Sequence, residues 1–177
     1  ASVIMLVGIL VMYFHTGDIS NVSGTMTGHH FSLLHMDSEM IQSEGLRHLV
    51  WILLLIGFAT KMPSVPVHTW LPDAHVQAPT AGSMILAGVM LKMGAYGFLR
   101  VAVSLFPEST VVFTPILVIL GMVSLVYGAW ICMGQTNLKR MVAYSSVSHM
   151  GLIFLGIATM QPLGIAGALF MMFAHGI

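Results

Sequence analysis

Residues 49–71 read LVWILLLIGFATKMPSVPVHTWL, an apolar run that contains one lysine followed by two prolines. A helix needs about 20 apolar residues to cross a bilayer, so the run is long enough to span one. Pro63 and Pro66 each lack the backbone amide that would continue the helix, and each disfavours helical geometry at the preceding residue. The stretch therefore predicts a transmembrane helix that breaks just after Lys61 and leaves backbone carbonyls unpaired at the break.

The rest of the chain is equally apolar. Of 177 residues, 57% are hydrophobic, and the charged residues are six Lys or Arg and six Asp or Glu. A soluble domain of this length would carry roughly 44 charged residues. So few charges cannot cover a surface that faces water. The composition predicts an all-α fold, a polytopic transmembrane helix bundle.

Windows of apolar residues divide the chain into six segments, the first and last of which are too short to span a bilayer alone. We therefore expect the chain to be a fragment of a longer protein. The alternation of the segments places the connections 72–78 and 135–140 on one side of the membrane, and 15–48 and 100–110 on the other. Lys139 and Arg140 weakly favour the cytoplasm or matrix for the first side. The segments are 1–14, 49–71, 79–99, 111–134, 141–160 and 163–177.

Composition also excludes several kinds of function. A formal net charge of zero offers no electrostatic surface for nucleic acid. A single cysteine, Cys132, permits neither an internal disulfide nor a thiolate cluster. The polar loop 15–48, whose later part is compatible with an interfacial helix, carries five histidines, but no zinc-ligand spacing repeats and we predict no metal site. These are His15, His29, His30, His35 and His48.

Four ionisable residues fall where lipid would surround the chain: Lys61, Lys92, His149 and His175. A lysine at the bilayer centre costs about 2.5–3.5 kcal/mol on insertion scales. None of the six segments contains Asp or Glu, so a structural ion pair would need an acid from outside them. Buried lysine can lose its proton and histidine titrates near neutrality, which favours proton conduction over a purely structural role.

Other polar side chains recur at helical spacing near these four. Lys92 and Tyr96 are four residues apart, as are Ser145 and His149. The same spacing joins Tyr144 to Ser148. We interpret these residues as polar support for the proton-transfer groups.

The residues from Lys61 onward resemble a known family. The segments are KMP at 61–63, VPVHTWLPDAH at 65–75, APTAGS at 78–83, LAG at 86–88, LK at 91–92 and YGFLR at 96–100. They resemble the antiporter-like subunits of respiratory complex I, and within them the type called ND4 in mitochondria and NuoM in bacteria. Residues 137–151 and the pair His175-Gly176 are similar to the same subunit.

This resemblance implies a fold and a site. The family has fourteen transmembrane helices in two inverted repeats, and this chain would supply helices six to eleven. The family's hydrophilic axis would run through Lys61, Lys92, His149 and His175. A glutamate on the fifth helix would partner Lys61.

The resemblance also implies a function, which is a proton-translocating membrane-arm subunit of NADH:quinone oxidoreductase coupled to quinone reduction in other subunits. Flavin, iron–sulfur clusters and quinone would belong to partner subunits, with no redox site in this chain. Its neighbours would be ND5/NuoL-like and ND2/NuoN-like subunits. The chain would be a multi-pass protein of the bacterial cytoplasmic membrane or the mitochondrial inner membrane.

Alternative functions remain open at this point. One alternative is a sodium/proton antiporter subunit of the multi-subunit Mrp type, since such subunits carry both lysines although they diverge through residues 75–83. The photosynthetic relative of complex I also has a similar subunit. A membrane cytochrome would use His149 and His175 as axial haem ligands. An assembly scaffold would tolerate alanine at Lys61 and Lys92.

Overall fold

The computed structural model describes residues 1–15, 41 and 43–176, and every regular element within these ranges is helical. The predicted all-α class is confirmed. Three helices are long and apolar enough to cross a membrane: Thr80–Val103, Thr114–Met133 and Leu138–Ala158. Two shorter apolar helices are Ser2–His15 and Pro162–Ala174. The interfacial helix considered for the loop falls mostly on residues 16–40 and 42, outside the described part of the chain.

The chain divides into two compact units. The first contains residues 1–58 and 97–111. It holds helix α1 (Ser2–His15) and most of α2 (Glu44–Lys61). It also holds a π-helical segment at Phe98–Val103 and most of α6 (Pro107–Val112). Its core contains an aromatic pair: Trp51 and Phe98 are fully buried, with ring centroids 5.9 Å apart.

Helix α1 packs closely on α2 because glycine removes side-chain bulk from the contact. A Cβ atom built on Gly57 would lie 2.5 Å from Cβ of Met5, a distance that real Cβ atoms do not reach. The Trp51 indole in the same unit donates to Thr110 Oγ1 at 2.9 Å. Such a bond satisfies a buried indole N–H that would otherwise be costly.

The second unit contains residues 59–96 and 112–177. It includes α3 (Trp70–Gln77), α4 (Thr80–Ile85), a π-helical segment at Leu86–Met90 and α5 (Leu91–Gly97). It continues with α7 (Thr114–Met133), α8 (Leu138–Ala158) and α9 (Pro162–Ala174). Helices α7 and α8 approach through glycines: a Cβ on Gly128 would lie 2.7 Å from Ser148 N, and one on Gly151 2.6 Å from Leu125 N.

The helix ends differ from the apolar segments because hydropathy marks burial and not where a helix starts. Helix α2 begins at Glu44 and not at Leu49, since an acidic first turn is favourable in water at a helix N-terminus. Helix α8 begins at Leu138, where the Asn137 side chain accepts a hydrogen bond from Lys139 N at 2.9 Å. The predicted segment 111–134 is divided at Phe113 between α6 and α7.

Contacts at the helix ends agree with the predicted sides within each unit. In the second unit, Arg140 pairs with Asp73 at 3.3 Å, so the connections 72–78 and 135–140 meet. In the first unit, Arg47 pairs with Glu108 at 2.9 Å, which brings the start of α2 to the connection near residue 108.

Candidate functional site

The break after Lys61 is present. Helix α2 ends at Lys61 and α3 begins at Trp70, and residues 62–69 between them form turns. The buried Ser124 on α7 accepts a hydrogen bond from Val65 N at 3.0 Å, which fixes the turn segment to the bundle. Irregular backbone at membrane depth persists only where protein or water satisfies it, and here α7 does so in part.

Pro63 predicts an unpaired carbonyl at Ala59, and Pro66 predicts one at Met62; the prediction is wrong for Ala59, and the neighbouring carbonyl of Thr60 is paired as well. The carbonyl of Ala59 accepts from both the amide and the hydroxyl of Ser64, each at 3.2 Å. The carbonyl of Thr60 accepts from the Trp70 indole at 3.0 Å. The sequence could not show that these two side chains return to the end of the helix.

Lys61 closes α2, and its side chain is exposed in this chain. Gly94 on α5 allows a close approach, because a Cβ there would lie 2.8 Å from Cβ of Lys61. The backbone and Cβ of Lys61 therefore pack against α5, while the residue as a whole remains exposed.

Lys92 lies in a hydrogen-bonded line with two residues distant in sequence. Its Nζ lies 2.6 Å from Nδ1 of His175, which follows the last residue of α9, and also donates to the carbonyl of Ala87. On the other edge of the imidazole, Nε2 of His175 lies 3.0 Å from Oγ of Ser146 on α8. Three helical elements thus bring a lysine, a histidine and a hydroxyl into contact.

His149 lies beside this line. Its ring centroid is 5.4 Å from that of His175, in an edge-to-face arrangement with 64° between the planes. Its Nδ1 is buried and has no hydrogen-bond partner among the described residues. A buried ring nitrogen without a partner is costly unless water or a further group reaches it.

A cavity of about 420 Å³ opens beside Lys92. It is lined by Gly88, Lys92, Leu169, Met172, Phe173 and Gly176. Lys92 therefore lines this cavity and also contacts the imidazole of His175.

The sequence matches, over residues 1–177, the protein family described as NADH:quinone oxidoreductase/Mrp antiporter, TM. The chain belongs to this family. The resemblance seen in the sequence is thereby confirmed, and the chain is a multi-pass membrane protein.

Relatives within the family agree with this assignment. The chain is 44% identical to NADH-quinone oxidoreductase subunit M of Escherichia coli (strain K12) over 178 residues, covering 100% of this chain and 33% of that protein. It is 40% identical to NADH-ubiquinone oxidoreductase chain 4 of Prototheca wickerhamii over 176 residues, covering 99% of this chain and 31% of that protein. The chain thus spans about a third of the length of these relatives.

Solved structures of the family have the same fold. A chain of respiratory complex I from Thermus thermophilus with bound NADH superposes with a TM-score of 0.79 at 30% identity, over 99% of this chain and 37% of that one. A chain of the Mrp complex from Dietzia sp. DQ12-45-1b also gives a TM-score of 0.79, at 22% identity, over 99% of this chain and 30% of that one. The second likeness extends to the fold alone.

The four residues predicted as polar support do not join the described hydrogen bonds around His175. Tyr96 is 60% exposed. Tyr144 packs near the ring of His68, with centroids 6.2 Å apart. Ser145 Oγ donates to Val142 O at 2.7 Å in its own helix, and Ser148 Oγ donates to Leu125 O on α7 at 3.0 Å. These two hydroxyls therefore bond to backbone and not to the line through His175.

Sequence reasoning missed three residues of the second unit: Ser146, His68 and His75. Ser146 and His149 are three residues apart, which places them on one helix face and was a signal available in the sequence. His68 lies in the turn segment and is buried, with its ring centroid 5.2 Å from that of Tyr127. His75 is a buried residue of α3 in the predicted connection 72–78.

His75 is the buried titratable residue of that connection. Burial lowers the pKa of His75, and the positive charge of Lys139 lowers this pKa further. Its Nε2 is buried without a hydrogen-bond partner in the described ranges. Burial and the nearby charge of Lys139 therefore both favour the neutral imidazole.

The described residues contain no group of three His, Cys, Asp or Glu side chains placed to hold a metal ion. Of the loop histidines, His29, His30 and His35 lie outside these residues. His48 Nδ1 lies 3.0 Å from Ser109 Oγ within the first unit.

Proposed function

We propose that this chain is part of a proton-translocating membrane subunit of an NADH:quinone oxidoreductase, and that protons pass along Lys61, Lys92, His149 and His175. Family membership and relatives named as subunit M and chain 4 support the class of complex. The observation that carries the proton path is the 2.6 Å approach of Lys92 Nζ to His175 Nδ1.

The geometry suits transfer between nitrogen atoms. A donor and an acceptor must lie within about 2.6–3.2 Å for a proton to pass directly, and this pair meets that limit. Burial disfavours the ammonium form of a lysine, and a neighbouring positive charge disfavours it further. Both effects favour release of the proton from Lys92, and the imidazole of His175 lies within reach to accept it.

Lys61 enters this proposal as the group that needs an acidic partner. Lys61 is exposed, and it forms no ion pair with an acidic side chain among the described residues. A carboxylate from another helix would keep the lysine charged, and withdrawal of that carboxylate would favour proton release. Tyr144 and Tyr96 would support the path through water rather than through a direct contact.

Redox chemistry would lie in partner subunits, which would hold the flavin, the iron–sulfur clusters and the quinone. The chain's own residues would load and release protons in response. The expected neighbours are the ND5/NuoL-like and ND2/NuoN-like membrane subunits. The chain would depend on these partners because each charged group at mid-membrane must alternate between a protonated and a deprotonated state.

The test is NADH-driven proton uptake into vesicles that contain the complete complex with substitutions at Lys92. Lys92→Ala removes the titrating group, and Lys92→Arg keeps a charge that is not lost at accessible pH. Both variants should lower proton uptake by about tenfold or more. Lys139→Ala, at the exposed end of α8, is the matched control and should pump normally.

Two measurements separate the possible causes of a loss. NADH oxidation by an artificial acceptor reports whether the complex assembles, so lowered pumping with normal oxidation locates the defect in the membrane arm. Normal pumping by Lys92→Arg would refute the proton path. Sodium-driven proton exchange that survives without NADH would instead assign the chain to a sodium/proton antiporter.

A further inference from the structure

The Ser146 hydroxyl lies between two hydrogen-bonding groups. It is 3% exposed, on α8. Its Oγ is 3.2 Å from the carbonyl oxygen of Val142 and 3.0 Å from Nε2 of His175. A carbonyl oxygen can only accept a hydrogen bond, whereas an imidazole nitrogen donates or accepts according to where its proton lies.

A hydroxyl has one proton to donate. When Ser146 donates it to Val142 O, the bond to His175 requires the ring to donate from Nε2. A neutral imidazole that carries its proton on Nε2 has a free lone pair on Nδ1. This Nδ1 atom is the one that lies 2.6 Å from Lys92 Nζ.

We propose that Ser146 is a positioning residue that holds His175 in the Nε2–H tautomer, so that Nδ1 accepts the proton of Lys92. This inference rests on the proposed function. In the transfer, the N–H bond at Lys92 Nζ breaks and its electron pair remains on Nζ. A new N–H bond forms at His175 Nδ1, and the positive charge moves from the lysine to the imidazolium.

The imidazolium formed in this way is also stabilised by Ser146. It then donates from both ring nitrogens, to Ser146 Oγ on one edge and to the neutral amine of Lys92 on the other. Charge-assisted hydrogen bonds of this kind are stronger than neutral ones. Ser146 thus selects the receiving atom before transfer and stabilises the charge after it.

Other titratable groups also face His175. The ring centroid of His149 on α8 lies 5.4 Å from that of His175. Lys92 is the proton donor to His175, and His75 on α3 lies within electrostatic range of it. All of these gain positive charge on protonation. Loss of the Ser146 hydroxyl would therefore leave the imidazolium with one hydrogen-bond acceptor fewer, beside groups that repel it whenever they are protonated.

The experiment uses the complete complex with Ser146→Ala, Ser146→Thr and Ser145→Ala. Ser145→Ala removes the other hydroxyl that donates to Val142 O, at 2.7 Å, so it measures the effect of that carbonyl alone. NADH-driven proton uptake is measured across pH and normalised to assembled complex, with oxidation of NADH by an artificial acceptor as the measure of assembly.

We expect Ser146→Ala to lower proton uptake by about two- to tenfold. Its pH profile should move to lower pH by about 0.5–1 unit, because the imidazolium has lost one acceptor. Ser146→Thr keeps a hydroxyl that can bond to the preceding helical turn and should retain the profile. Ser145→Ala should not reproduce the shift.

Three results would overturn the inference. The first is an unchanged pH profile in Ser146→Ala, including the case in which only the amount of complex falls. The second is an equal shift in Ser145→Ala, which would assign the effect to Val142 O. The third is a Ser146→Thr variant that behaves like alanine. Impaired Lys92 variants beside an unaffected Ser146→Ala would leave the proposed proton path standing while rejecting the role of Ser146.

Discussion

The two lysines that fall within the predicted transmembrane segments have different surroundings. Lys92 contacts His175 and a backbone carbonyl of its own helix. Lys61 is exposed in this chain and packs against Gly94 through its backbone and Cβ. A lysine with an internal acceptor can pass its proton onward, whereas one without depends on another element. We therefore expect Lys61 to couple this chain to its surroundings.

This role predicts how substitutions at Lys61 behave in the whole complex. Lys61→Ala should depress proton pumping and NADH oxidation by quinone together, by about tenfold, because a coupled machine stalls when one group cannot load. Lys61→Arg should be impaired as well, since guanidinium can pair with an acid but cannot discharge. Proton uptake in vesicles is the measurement. An arginine variant that pumps at the normal rate would show that the lysine only stabilises the fold.

At the scale of elements, glycine sets the distance between α7 and α8. Alanine at Gly128 or Gly151 would place Cβ 2.7 Å from Ser148 N or 2.6 Å from Leu125 N, both backbone atoms that cannot rotate away. We expect each substitution to destabilise the bundle by about 1–3 kcal/mol. Gly167→Ala on α9 meets nothing within 4 Å and is the matched control. The thermal midpoint of the purified complex should fall for the first two variants, and an equal midpoint in all three would contradict this packing.

The broken segment after α2 depends on α7 for one backbone hydrogen bond. Ser124→Ala removes the acceptor of Val65 N, which costs about 1–3 kcal/mol if the amide is left without a partner. Hydrogen exchange at residues 65–69 should become faster while exchange in the middle of α8 stays the same. Unchanged exchange at these residues would show that other contacts fix the segment.

At the scale of the whole molecule, many large apolar side chains remain exposed. Met133 is 82% exposed and Leu163 is 84% exposed, values that suit lipid or neighbouring helices and not water. Within the second unit, the exposed ion pair of Arg140 with Asp73 joins two connections between helices. Within the first unit, Arg47 pairs with Glu108 near the start of α2. Exposed pairs of this kind add about 0–1 kcal/mol, so they report topology more than stability.

The alternation of the apolar segments predicts that two engineered cysteines are labelled from opposite sides of the membrane. Gln135→Cys and Glu108→Cys are introduced in turn into the full-length protein after its native cysteines, including Cys132, are replaced by serine. A membrane-impermeant thiol reagent added to sealed vesicles of one orientation should label only one of the two, because the alternation of the apolar segments predicts opposite sides for the connections 100–110 and 135–140. Labelling of both from the same side would refute the predicted alternation.

Much of this protein follows from local chemistry in the sequence. The scarcity of charge predicts a membrane protein. Pro63 and Pro66 predict the break after Lys61, because proline lacks the amide hydrogen of a helical hydrogen bond whatever its tertiary contacts are. The same local chemistry identifies Lys92, His149 and His175 as costly residues in lipid. Each inference needs only a residue and its immediate neighbours in sequence.

Only the tertiary structure decides which of these residues meet. Lys92 and His175 are 83 positions apart, and Ser146 and His175 are 29 apart. Adjacent positions on a helix differ by about 100° in direction, so both Ser145 and Ser146 are plausible partners until α9 is in place. The packing of α9 against α8 brings His175 to Ser146 and leaves Ser145 bonded to its own helix, since helix rotation and side-chain direction are set by contacts between elements that are distant in sequence.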